Sequence, residues 1–324
     1  MMSVRRLAWS IFAATLAPVL IGLAFLELFF QPPLWINDLD AADVRADGGL
    51  LFYLTAAFLQ LIYCFVMALA VLSGMKRKAT LYRTEFLGFL APSVIAFSAM
   101  YLLLFYQSPT ARVMSYDMLY NLVQSSEGHG LQGCAIPAPW SQTCVLSVLS
   151  IVPGFQILMA FVCVSIASLS LSERMMSLRD LEGRERWEEA FGHAWSGVQN
   201  HFFIAAGLLA FSAVSTAFFH QISTGLVTGA ENRILVDEAA LGMSAFWGGV
   251  FTAMLLGHYI FVYRAVGRMI QTRFDLAKIG ASHVIEMQEF KDKMFGARRQ
   301  REIIVSFFFP LLSSVGAFSL GAGP

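Results

Sequence analysis

Residues 7–30 read LAWSIFAATLAPVLIGLAFLELFF, directly behind Arg5 and Arg6. The run carries one carboxylate, Glu27, close to its far end. A secretory signal has the same basic start, but its apolar core ends after about 7–15 residues before a small-x-small cleavage site. This run is longer and no such site follows it, so it is expected to be a retained first membrane span. About 20 apolar residues at 1.5 Å rise cross the hydrocarbon core of a bilayer.

The same signature recurs along the chain. Apolar blocks lie near 7–30, 50–73, 86–106, 145–171, 201–222, 241–263 and 303–320, the last being short. Only 14% of residues are charged and 57% are hydrophobic, whereas a soluble domain carries about a quarter charged. Lipid suits such a surface and water does not. Each backbone donor and acceptor in lipid must be satisfied within its own segment, which selects helices. The strict alternation of a membrane β-barrel is absent. The expected fold is therefore all-α, a single polytopic membrane domain over 1–324 with about seven transmembrane helices.

Basic residues orient it. Of the 22 Lys and Arg, all but Arg45, Arg112 and Arg233 fall at the amino terminus or in the second, fourth and sixth loops. Basic loops stay in the cytoplasm. The amino terminus is thus expected inside and the carboxyl terminus outside. Trp35, behind Pro32 and Pro33, reads as an anchor at the outer interface. Compact loops, and outer loops without an Asn-x-Ser/Thr sequon, point to a bacterial inner membrane.

Two cytoplasmic segments are long enough for structure of their own. Over 175–198, Trp187, Phe191 and Trp195 recur every four residues among Arg and Glu, the pattern of an amphipathic helix on the membrane surface. Over 274–295, Val284, Met287, Phe290 and Met294 make a second stripe. Either segment packs on the protein's inner face or headgroups, or docks a cytoplasmic partner.

Intramembrane ionisable groups mark function by default. Here Glu27 is the only acidic residue within a span, and no span holds Lys, Arg or Asp. That argues against a pump built on a mid-membrane carboxylate, a voltage sensor and a retinal Schiff base. The polar candidates that remain are uncharged. Gln60 and Gln156 each sit in an apolar span within a shared pattern, Gln60 to Phe65-Val66 and Gln156 to Phe161-Val162. Ala-Phe-Ser recurs at 96–98, 210–212 and 317–319, and the two echoes together suggest a duplicated unit of the kind many transporters contain. Gln60, Gln156, Ser212, Ser215, Thr216 and Glu27 are the candidate pore- or solute-lining residues.

Ala245, Gly249, Ala253 and Gly257 recur every four residues, with Ser244, Gly248 and Thr252 on the adjoining ridge. Small residues at this spacing let helices approach closely, within the chain or between copies. Cys134 and Cys144 flank a short outer segment and are disulfide candidates in an oxidising compartment. Cys64 and Cys163 lie inside spans as core residues. His201 and His258 fall at similar depth and are the one pair able to ligate haem or metal. Two ligands are too few to expect a metal, and no cofactor is expected.

The functional expectation is a non-enzymatic membrane component, either a channel, a scaffold or a sensor subunit of a larger assembly. The alternatives are a transporter of a neutral small solute, and a membrane enzyme or haem-binding electron carrier. Membrane lipids, further copies or other membrane subunits are the expected partners. Nothing in the chain suggests nucleic acid.

Overall fold

The computed structural model describes residues 4–29, 48–75, 88–99, 109–113, 117–125, 142–177, 184–275 and 305–321, with residues 39, 289 and 302. They form α1 (Val4–Phe29), α2 (Gly48–Met75), α3 (Gly88–Ala99), α4 (Pro109–Arg112), α5 (Met118–Ser125), α6 (Gln142–Ser177), α7 (Arg184–Leu226), α8 (Ala230–Asp275) and α9 (Phe309–Gly321). No strand occurs among the described residues. Five helices, α1, α2, α6, α7 and α8, are long and apolar enough to cross a membrane, which makes this an integral membrane protein. α3 and α9 are shorter apolar helices packed with them, and the rest of the expected third span, 86–87 and 100–106, lies outside the described residues.

The polarity of the bundle is inside out. Leu28, Ile21, Leu51, Phe58, Ile95 and Ile151 stand on the surface, while Gln60, Gln156, Ser93, Ser165 and Ser212 are buried. In water such an apolar girdle would aggregate; in lipid it is the ground state.

α7 and α8 contain 43 and 46 residues, so each is about 65–70 Å long, twice a hydrocarbon core. They form an antiparallel hairpin. Gly229 makes the reversal with φ +83°, a left-handed conformation that a Cβ disfavours. Of the segment expected as an amphipathic surface helix, 175–198, residues 178–183 lie outside the described residues. Residues 184–198 form the first turns of α7, with Phe191 and Trp195 buried in the same core cluster as Leu7, Ala8 and Ile270. Most of 274–295 lies outside the described residues.

Close approaches fix the packing. Pro18 removes the N–H that would bond the Ala14 carbonyl of α1. Gly257 of α8 presses on that same oxygen, and a Cβ there would sit 2.8 Å from it. Gly248 seats Ser314 and Leu311 of α9 in the same way. The ridge Ala245–Gly249–Ala253–Gly257 is thereby divided. Gly257 meets α1, a Cβ added to Gly249 would meet no described atom within 4 Å, and Ala253 is exposed. On α2, Tyr63 reaches across Gly207 to donate to the Ile204 carbonyl of α7 at 2.9 Å.

Candidate functional site

α2, α6 and α7 meet at mid-height through side chains that carry no charge. The direction of each hydrogen bond follows from the first. Ser212 donates to the Leu208 carbonyl one turn back, at 2.9 Å. Its proton is thus committed, and the lone pair facing α2 must receive a donor. Gln60 Nε2 supplies it at 2.9 Å, which turns Gln60 Oε1 towards α6. There Gln156 Nε2 donates to it at 2.5 Å and also to Ser215 Oγ at 2.8 Å. Gln156 Oε1 is left facing Tyr53, whose hydroxyl donates at 2.8 Å. One tautomer-free chain therefore assigns every amide orientation.

Helical spacing puts these groups together. Tyr53 and Gln60 are seven residues apart, two turns on one face of α2, and Ser212 and Ser215 share a face of α7. Interhelical bonds of this kind contribute about 0.6 kcal/mol each in a membrane. Leaving one of these groups unpaired costs more, about 1–3 kcal/mol.

The junction forms one wall of a cavity of about 640 Å³. Gln60, Gln156, Ser212, Ser215 and Thr216 all line it, together with Tyr53. Most of the remaining lining is apolar, with Leu208, Phe219, Trp247, Phe251 and Met254 among it. At one end the wall reaches Arg112 and Asp117, a partly exposed ion pair at 3.0 Å. Phe97 and Phe161, ring centroids 3.7 Å apart, also line it. Behind them Phe12, Phe89 and Trp9 continue an aromatic column towards the amino-terminal end of the bundle. Pro153 and Gly154 of α6 also line the cavity. Pro153 leaves the Leu149 carbonyl without its helical N–H, and no described atom lies within 4 Å of a Cβ placed on Gly154. Among the described residues the side of the cavity is open there towards the exposed face of α6.

Glu27 is elsewhere. It lies outside the cavity lining and accepts the Thr110 backbone N–H of α4 at 3.0 Å. Nor do His201 and His258 reach the cavity. The Thr15 hydroxyl donates to Ile11 O at 2.8 Å, so His258 Nδ1 is the donor in its 2.7 Å contact with Thr15. His201 Nδ1 donates to Gly197 O at 3.0 Å. Among the described residues no group of three metal-ligating side chains forms. Cys163 donates to the Cys64 carbonyl at 3.4 Å between α6 and α2. Cys134 lies outside the described residues, as does the side chain of Cys144.

Sequence reasoning did not single out Tyr53, nor bring His220, Trp247 and the Arg112–Asp117 pair to this site. The seven-residue step from Tyr53 to Gln60 was the legible signal. The others depend on which faces of α5, α7 and α8 turn inward, and on loop geometry. No family model, no curated protein and no solved structure matches this chain.

Proposed function

We propose that the chain is a transporter of a small, neutral, mostly apolar solute in a bacterial inner membrane. In this reading α3 and α9 complete seven crossings, the amino terminus is cytoplasmic and the carboxyl terminus is outside. The alternation of basic segments along the sequence supports that orientation.

The observation that carries the reading is the cavity of about 640 Å³ at mid-height, walled by apolar side chains and an uncharged amide–hydroxyl junction. Ligand sites are concave, mostly apolar and fitted with a few convergent polar groups. Among the described residues the charged side chains of the lining are Arg112 and Asp117, which pair with each other, so a charged solute finds no spare counter-charge there. The aromatic pair Phe97 and Phe161 in the lining, backed by Phe12, Phe89 and Trp9, is packed against other rings and not against a water-filled lumen, which favours a carrier over a continuous pore. Alternating access then requires the aromatic cluster to part on one side as the Arg112–Asp117 side closes on the other.

Thermal stabilisation by a panel of neutral solutes tests this, since a ligand bound only to the folded state raises its stability by mass action. Thr216→Trp, which fills the cavity, should abolish the response. Stabilisation by charged solutes alone, or stabilisation indifferent to Thr216→Trp, would remove the cavity from consideration. A periplasmic reporter fused to the carboxyl terminus should be active; activity confined to the cytosol would reverse the orientation.

A further inference from the structure

The cavity's own hydrogen bonds say what its occupant must bring, an inference that rests on reading the cavity as the solute site. Gln60 Nε2 has two protons, and among the described residues only one is used, on Ser212. Ser215 accepts from Gln156, and its own hydroxyl proton meets no acceptor among the described residues, unlike those of Ser212 and Thr216, which bond the helix behind them. Gln60 and Ser215 are 4% and 3% exposed, so water at the bundle surface does not serve them. Both line the cavity. What the junction leaves unspent at this point is donors, two of them on neighbouring groups.

We infer that the cavity selects neutral apolar molecules bearing a hydrogen-bond acceptor, a ketone or comparable carbonyl, whose oxygen receives the second N–H of Gln60 and the O–H of Ser215. The reason is the asymmetry of buried hydrogen bonds. A hydrocarbon of the same shape leaves both protons desolvated, and an ammonium brings further donors to donors. A carbonyl oxygen has two lone pairs and matches two donors.

The test uses the full chain in dodecyl maltoside with 4-tert-butylcyclohexanone, its exocyclic-methylene isostere and 4-tert-butylcyclohexylammonium. Affinities are read from the dependence of the thermal midpoint on concentration. The ketone should bind about tenfold more tightly than the hydrocarbon isostere, the ratio expected for one to two net hydrogen bonds, and the ammonium should not bind. The stretching frequency of the ¹³C-labelled carbonyl should fall on binding, relative to the ketone in detergent alone. The triple variant Gln60→Met, Gln156→Met, Ser215→Ala should bind both neutral probes equally. Because that variant is at risk of misfolding, the infrared shift in the unaltered protein decides independently. Equal affinity of ketone and isostere with an unshifted carbonyl overturns the donor assignment and leaves the cavity standing. If neither neutral probe stabilises the protein saturably, the cavity reading falls with it.

Discussion

The side-chain amides of Gln60 and Gln156, on helices 96 residues apart in sequence, meet head to tail, with Gln156 Nε2 donating to Gln60 Oε1. Each amide also donates to a serine of α7, Gln60 to Ser212 and Gln156 to Ser215. Three helices are thereby held at one level by groups that cannot ionise, beside the cavity of about 640 Å³.

Removing one member should cost more than any one bond contributes. Gln156→Leu leaves the Tyr53 hydroxyl, Gln60 Oε1 and Ser215 Oγ without the partners they now have. The expected loss is about 2–4 kcal/mol, from unsatisfied buried groups at about 1–3 kcal/mol each with partial relaxation. Reversible unfolding in sodium dodecyl sulfate measures it. A loss below about 0.5 kcal/mol, the size of an ordinary surface effect, would mean the junction is solvated.

Gly249 and Gly257, on one ridge of α8, should respond oppositely to the same substitution. Gly257→Ala puts a methyl 2.8 Å from the Ala14 backbone oxygen, and backbone cannot swing aside, so α1 and α8 must separate at a cost of about 1–3 kcal/mol. Gly249→Ala meets no described atom within 4 Å and should be neutral or stabilising by up to about 1 kcal/mol through helix propensity. Paired thermal midpoints of the two variants check the contrast.

Gly154→Phe should close the lateral opening without unfolding the protein, since no described atom occupies the space a side chain would enter. Entry of an apolar probe from the membrane should slow while the thermal midpoint of the free protein stays unchanged. Stopped-flow binding with probe delivered in vesicles reads the rate. An unaltered rate would direct entry to the Arg112–Asp117 end.

Cys64 and Cys163 are both fully buried, with Cys163 Sγ turned to the Cys64 carbonyl. Neither should react with N-ethylmaleimide in the folded protein, and both should react after denaturation, as mass spectrometry of labelled peptides will show. Rapid labelling of either thiol in the native protein would contradict the packing of α2 against α6.

How far the site is legible in the sequence depends on residue type. Gln60, Gln156, Ser212, Ser215 and Thr216 stand out because a polar group inside an apolar run carries a cost in lipid whatever its neighbours are. Glu27 stands out for the same reason, yet it serves the Thr110 N–H at the start of α4; its cost is met by a backbone donor, which no pattern of side chains discloses. Trp247, Phe251 and Met254 are invisible as site residues, since an apolar side chain reads alike whether it faces lipid, core or cavity.

The sequence by itself determined the solvent, the helical class and the short set of buried polar groups. Those follow from local physics, in which a run of apolar residues long enough for a bilayer must hydrogen-bond itself as helix. Tertiary structure decided which helices meet and by which faces. It continued 184–198 into α7 as core-packed helix, divided the small-residue ridge of α8 between α1 and open space, and brought Gln60 within reach of Gln156. Such pairings depend on close approach at particular glycines and prolines, as at Gly257 and Pro18, and the energy of a contact between distant segments is written in neither segment alone.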